Sequence, residues 1–278
     1  MKLSFNSWLY GQANGWLPLR SIEDTVDTIA ELGYDGIEIG AATPHAYPPF
    51  LDAKGRRDLL GYVRSRGLEV SGICPALGGA VGYNSASPEK PERDATVEYM
   101  KQCCELARDL EAGRVIWIAG WTRYGQSKRD AWSNAVETLQ RSADAAASCG
   151  VQLVVEPTSE VSNLTDDVGD VLRLIDESQV DTQVVKVMID TIHVMHRADD
   201  IRAQIAEAGS ELGYVHLSDA NRGAPGDEND FRSVIGELQR VNYDSWLSME
   251  IGFTQRSYDP DAVAARALAH VRGLVGGK

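Results

Sequence analysis

Apolar residues are distributed in two alternating patterns along this chain. Short continuous apolar runs, the signature of strands covered on both faces, occur at Lys2–Trp8, Gly36–Ile39, Leu68–Cys74, Arg114–Ala119, Val151–Glu156, Val184–Asp190, Gly213–Ser218 and Trp246–Ile251. Between them lie longer segments with helical periodicity. The first begins at Ser21, with Asp24 at the capping-box position, and carries an apolar face of Ile22, Val26, Ile29, Ala30 and Leu32 up to Gly33. Further helices are predicted over Asp52–Arg66, Glu92–Leu110, Asp130–Ser148, Thr165–Glu177, Asp199–Ala208, Phe231–Val241 and Pro260–Leu274. Eight strands alternating with eight helices predict one α/β domain over residues 1–278, a (β/α)8 TIM barrel. An open doubly wound sheet is disfavoured, because no G-x-G-x-x-G follows the first strand and no P-loop is present.

Four of the runs in the second half end in a possible metal ligand: Glu156, Asp190, His216 and Glu250, spaced 34, 26 and 34 positions apart. Each spacing is about one βα unit, and the carboxyl ends of barrel strands face the active site. Two Glu, one Asp and one His then converge on one point. A site dominated by carboxylate oxygen suits one divalent ion such as Mn²⁺, Mg²⁺ or Co²⁺ better than a thiolate zinc site. Unrelated salt bridges would explain any one of these residues, but explain all four at successive strand ends less well.

Composition is that of an ordinary globular chain, with 43% hydrophobic and 24% charged residues over 278 positions. The net charge of −14 opposes binding to phosphate backbones and anionic lipid, so neither nucleic acid nor membrane is expected as a partner. Cys74, Cys103, Cys104 and Cys149 form no C-x-x-C pair and read as reduced thiols. No apolar stretch approaches the ~20 residues of a membrane span. Met1–Phe5 leads straight into a strand, so a cytoplasmic protein is expected.

Other polar residues cluster near the expected mouth. His193, three positions after Asp190, could orient substrate hydroxyls, ligate a second metal or simply cap the turn. Arg222 offers a planar fork for substrate oxygens, and Asp219 could orient His216 or Arg222; a loop salt bridge between the two is the plainer alternative. Glu38 ends the second strand, where reaching the mouth and a buried pairing are equally open. Trp8, Trp16, Trp117, Trp121 and Phe253 lie near strand ends, where aromatic rings could cover the C–H faces of a sugar or serve as packing. His196 reads as a helix or loop residue, and His45 and His270 as loop and surface residues without a role.

The chain resembles the xylose-isomerase-like TIM-barrel superfamily of sugar phosphate isomerases and epimerases, and within it ketose 3-epimerases of the D-tagatose/D-psicose type. The residues carrying the resemblance include Tyr34-Asp35-Gly36-Ile37-Glu38, Ala86-Ser87-Pro88-Glu89-Lys90, Arg93-Asp94 with Glu98-Tyr99, Val185 to His193, Val215 to Arg222 and Trp246 to Glu250. The resemblance implies that Glu156, Asp190, His216 and Glu250 hold one divalent metal, usually manganese. It further implies that His193 and Arg222 contact the substrate, and that Glu156 and Glu250 are also the catalytic acid/base pair. The implied reaction is proton abstraction beside the carbonyl of a keto sugar through a metal-stabilised enediolate, giving epimerisation at carbon 3 or, with the proton returned to the neighbouring carbon, aldose–ketose isomerisation. A homodimer or homotetramer is implied as well. One stretch departs from the epimerase pattern. Where those enzymes carry Asn-Arg and a second Glu after the strand-five Glu, this chain reads Pro157-Thr158-Ser159-Glu160-Val161-Ser162-Asn163, with Glu160 as the candidate replacement for substrate contact.

Two further readings compete. A metal-dependent lyase or dehydratase on a keto sugar, inosose or 3-keto glycoside would share the proton abstraction and then expel a leaving group. A non-catalytic sugar-binding or partner subunit would use the barrel as a scaffold. An AP endonuclease shares the barrel and resembles Asp190-Thr191-Ile192-His193. It needs histidines for three zinc ions where this chain has Cys74, Trp121 and Asn229-Asp230.

Overall fold

In the computed structural model, which describes residues 1–11, 18–77, 82–159, 161–253 and 259–276, eight parallel strands close in sequence order into a barrel. The strands are β1 (Lys2–Asn6), β2 (Gly36–Gly40), β3 (Glu69–Cys74), β4 (Arg114–Ile118), β5 (Gln152–Glu156), β6 (Val185–Asp190), β7 (Leu212–Leu217) and β8 (Trp246–Met249). The helices among the described residues are α1 (Trp8–Gly11), α2 (Ile22–Leu32), α3 (Ala53–Ser65), α4 (Lys90–Asp109), α5 (Lys128–Cys149), α6 (Val168–Ser178), α7 (Thr191–His196), α8 (Ile201–Ala208), α9 (Arg232–Arg240) and α10 (Pro260–Val275). No described helix is long and apolar enough to cross a membrane.

Strand parity explains why the apolar runs are continuous. Leu153, Val155, Val187, Ile189, Val215, Leu217, Leu247 and Met249 belong to the large core between the strands and the helical layer. The alternate positions Ile116, Val154, Met188, Tyr214 and Trp246 form a second cluster inside the barrel. Helices meet the outer face through small or branched residues, as in α5 with Ala131, Ala135, Thr138, Leu139, Ser142 and Ala146 buried at helical spacing. Ser21 caps α2 through Asp24 N at 3.0 Å, and Gly33 closes it at φ 89°.

Two elements differ from the sequence expectation. β1 ends at Asn6 rather than Trp8, because Asn6 Oδ1 accepts the Trp8 backbone N–H at 2.9 Å and starts the short helix α1. A further short helix, α7, follows β6 directly, with Asp190 Oδ1 accepting from Ile192 N at 3.2 Å. It carries both His193 and His196.

The floor of the barrel is tightly filled by Trp246, over which the Lys2 ammonium sits at 5.3 Å. A Cβ at Gly36 would lie 2.7 Å from both the Trp246 ring and the Glu69 carbonyl oxygen, and that carbonyl cannot move without breaking the sheet. We expect Gly36→Ala to cost about 1–3 kcal/mol. Urea unfolding should show a lower midpoint with an unchanged slope, and an unchanged midpoint would contradict this packing.

Candidate active site

Position parity puts the four predicted ligands where they are. Glu156, Asp190 and His216 each stand two residues beyond an inward-facing residue, Val154, Met188 and Tyr214 respectively. Glu250 stands two beyond Ser248, one residue past β8, and its backbone N–H still pairs with Leu217 O at 3.1 Å. Asp190 and His216 are register partners on β6 and β7. One ligand atom from each of Glu156, Asp190, His216 and Glu250 lies within 4.8 Å of the others. Asp190, His216 and Glu156 are buried and Glu250 nearly so.

His216 is held from behind by Glu38. The Nε2 of His216 lies 2.8 Å from Glu38 Oε2, which also accepts from the Tyr214 hydroxyl at 2.8 Å. Asn6 Nδ2 donates to Glu38 Oε1 at 3.1 Å and to Glu250 Oε1 at 3.3 Å. A carboxylate at Nε2 fixes the proton there and leaves the Nδ1 lone pair for another partner. That Nδ1 is buried without a hydrogen bond and faces Glu250 Oε2 at 3.3 Å. Three carboxylates and an inward-facing imidazole Nδ1, once it releases its proton, fit a divalent cation.

The electrostatics are those of a crowded anionic site. Burial pushes the Glu156 carboxyl up to about 8, with Asp190 and Glu250 adding to the rise and His216 and Arg222 opposing it. Asp190 is raised by burial against the pull of Arg222. Burial also pushes Glu250 upward, but Arg222 and His216 overcome it and hold this carboxyl well below the usual range. His216 is held well above its ordinary value, because Glu38 and Glu250 outweigh its burial. Arg222 supplies the balancing cation. Its Nη1 bonds Asp190 Oδ2 at 2.5 Å and also Glu250 Oε2.

His193 sits on α7 with Nε2 3.8 Å from both Glu156 Oε1 and Asp190 Oδ2. Its carbonyl accepts from Ser159 Oγ at 2.9 Å, which ties the loop after β5 to α7. Glu156, His193, Arg222 and Glu250 all line a cavity of about 620 Å³, together with Trp8, Cys74, Pro75, Ala76, Leu77, Ile116, Ile118, Thr158 and Val161. Of the five aromatic residues considered from the sequence, Trp8 lines this cavity. Trp117 is buried on the helix-facing side of β4, and Phe253 packs against Tyr10 and Phe5 at 5.2 and 6.4 Å. Trp121 is not among the lining residues. Its backbone instead pairs with the Asn84 side chain at 3.1 and 2.9 Å. Trp16 and Glu160 lie outside the described residues.

Other sequence readings are corrected by the structure. Asp219 bonds neither the His216 ring nor the Arg222 side chain, and acts on Arg222 only through the backbone of its loop. It accepts from the backbone of Ala220, Glu228 and Asn229 and from Asn229 Nδ2, closing its own loop. His45 is buried rather than on the surface, with Nδ1 3.1 Å from Ser7 Oγ, and burial lowers it to about 4. Asn6 and Tyr214 were missed. Their inward strand parity, two residues before Trp8 and two before His216, was the available signal.

The barrel and this cluster can be set beside known proteins. A family model described as a xylose isomerase-like TIM barrel matches residues 26–274. Fructoselysine 3-epimerase of Escherichia coli O157:H7 is 24% identical over 261 residues, covering 91% of this chain and 94% of that protein. D-psicose 3-epimerase of Ruminiclostridium cellulolyticum is 29% identical over 233 residues, covering 81% and 76%. Among solved structures, the D-psicose 3-epimerase of Clostridium cellulolyticum H10 with D-tagatose superposes with a TM-score of 0.85 at 22% identity, covering 99% of each chain. With the model match spanning nearly the whole barrel, the chain belongs to the xylose isomerase-like TIM barrel family.

Proposed function

We propose that this protein is a carbohydrate epimerase that acts on a keto sugar with the help of one divalent metal, with ketose 3-epimerisation as its reaction. The observation that carries the reading is the pair of largely buried glutamates, Glu156 on β5 and Glu250 after β8, which bring two carboxylates to one point from separated strands. Epimerisation needs one group to take the proton from carbon 3 and another to return one from the other face. Glu156 and Glu250 are assigned as this pair, one taking the proton and the other returning one, with the roles exchanged in the reverse direction. Arg222 and His193 border the same cavity and are assigned to the substrate oxygens. Glu156, Asp190, His216 and Glu250 are assigned as metal ligands, for Mn²⁺ first and Mg²⁺ or Co²⁺ as alternatives. When bound, such an ion supplies Lewis-acid stabilisation of negative charge on the substrate oxygens. The two 3-epimerases among the relatives named above support a sugar substrate. A homodimer or homotetramer belongs to the same proposal and rests on the resemblance, and a cytoplasmic location rests on the reading of the cysteines as reduced thiols.

Incubation of the Mn²⁺-loaded protein with ketohexoses in deuterated water should place deuterium at carbon 3 without loss of water. An unsaturated product would overturn the epimerase reading in favour of elimination. Glu156→Gln and Glu250→Gln should each lower kcat by about 10²-fold or more while changing sugar affinity only a few-fold.

Metal uptake should depend on pH in a definite direction. Binding requires Glu156 ionised and the His216 Nδ1 unprotonated, and the metal-free site favours the proton on both. Apparent affinity should therefore rise from pH 6 through about 8. Calorimetry in buffers of different ionisation heat should show about one to two protons released at pH 7. An affinity flat across this range would contradict the assignment. Glu38→Gln, which removes the charge behind His216, should weaken metal binding by about tenfold in the same titration.

A further inference from the structure

We propose that Asn6 and Tyr214 are positioning residues of the metal site, which fix the Glu38 carboxylate behind His216 and, through Asn6, hold one oxygen of Glu250; the inference rests on the metal assignment above. Asn6, Tyr214 and Glu38 are all 0% exposed, so the first two act through the groups they touch. Strand geometry brings the three together. Asn6 and Glu38 are register partners on β1 and β2, and Tyr214 stands two residues before His216 on the inward face of β7. Glu38 Oε1 accepts from Asn6 Nδ2 at 3.1 Å, and Oε2 accepts from the Tyr214 hydroxyl at 2.8 Å beside His216 Nε2 at 2.8 Å. A buried carboxylate needs such donors in place of water.

The direction of each bond is determined. Asn6 Oδ1 is taken by the Trp8 backbone N–H at 2.9 Å, so Nδ2 is the end of the amide that faces the carboxylates. The phenol has one proton and a carboxylate only accepts, so Tyr214 donates to Glu38 and accepts from Ser71 Oγ, 2.9 Å away. Both oxygens of Glu38 are thereby pinned, and Oε2 is presented to His216 Nε2. Such a partner sets the plane and tautomer of a ligand imidazole, and here the partner is itself held at two points. Asn6 has a second task. Its Nδ2 also lies 3.3 Å from Glu250 Oε1, one N–H for each carboxylate. With Oε1 engaged, Oε2 is the oxygen turned to His216 Nδ1 at 3.3 Å and to Arg222. Asn6 therefore acts on two assigned ligands and Tyr214 on one, which makes their roles separable.

The test uses Tyr214→Phe, which removes only the hydroxyl, and Asn6→Ser, which keeps an acceptor for the Trp8 N–H and withdraws the amide from the carboxylates. Calorimetry with Mn²⁺ alone should show each variant binding about tenfold more weakly than the unsubstituted protein. In a Glu38→Gln background, Tyr214→Phe should add less than about twofold, because it acts through the group already changed. On ketohexoses at saturating Mn²⁺, Asn6→Ser should lower kcat about tenfold with KM changed less than about threefold, and Tyr214→Phe should lower kcat less. Lower thermal midpoints with unchanged Mn²⁺ affinity in both variants would mean a structural role only and would overturn the inference while leaving the metal assignment intact. A full, additive loss from Tyr214→Phe in the Glu38→Gln background would overturn it as well. Failure of the unsubstituted protein to bind Mn²⁺ would overturn the metal assignment and the positioning role with it. Mn²⁺ binding needs no turnover, so failure of the epimerase reading alone leaves this test in force.

Discussion

Closing eight parallel strands into a barrel forces their carboxyl ends onto one small area, and here that area holds four carboxylates. Glu38, Glu156, Asp190 and Glu250 all lie at the mouth, with Glu38 and Asp190 fully buried. Removal of carboxylates from water is costly unless each finds a proton, a cation or several hydrogen-bond donors. The protein uses all three. Asn6 and Tyr214 donate to Glu38, Arg222 bridges Asp190 and Glu250, and Glu156 retains a proton. The last solution makes stability depend on pH. Glu156 titrates near 4.5 in an unfolded chain and at about 8 in the fold, so the folded state binds the extra proton between these values. Its contribution is present below 4.5 and is lost as pH rises through about 8. A bound divalent cation would take over the neutralising role that the proton plays.

The same closure sorts the residues by parity. Along β5 to β8, positions facing the helices hold Leu153, Val155, Val187, Ile189, Val215 and Leu217, while the inward positions end in the clustered residues Glu156, Asp190, His216 and Glu250. β4 obeys the same alternation but ends inward with Ile116 and Ile118. The division between a charged half and an apolar half of the mouth is therefore a choice of residue type at equivalent positions, made on one scaffold.

Sequence patterning reached those parts of the structure that depend on local periodicity. The strand runs, the helix caps at Ser21 and Gly33 and the convergence of Glu156, Asp190, His216 and Glu250 at strand ends all follow from spacing. What spacing cannot express is which distant groups meet. Glu38 and His216 are 178 positions apart in the chain and 2.8 Å apart in space. Asp219 looked equally able to support His216, but its carboxylate is closer to its own loop amides and is consumed by them. Trp8 extended an apolar run in the sequence, yet the Asn6 side chain turned the backbone into a helix there. His45 read as a surface residue because its burial depends on Ser7 and Arg20, which other elements bring to it.

Arg222 shows how much of the loop after β7 is committed to charge placement. Asn221 and Arg222 both adopt left-handed backbone angles, φ 55° and 59°, in a region that side chains other than glycine and asparagine seldom occupy. The strain is held by Asp219, whose carboxylate collects three loop amides, and by Gly252 N, which donates to Arg222 O at 2.7 Å. Surrounding bonds that overdetermine a strained backbone mark a position where geometry matters more than local comfort. Here the result is a guanidinium delivered between Asp190 and Glu250, from β6 and the end of β8. The anionic cluster and the strained loop are two sides of one arrangement. The barrel gathers the carboxylates, and the loop after β7 spends backbone strain to bring them a fixed positive charge.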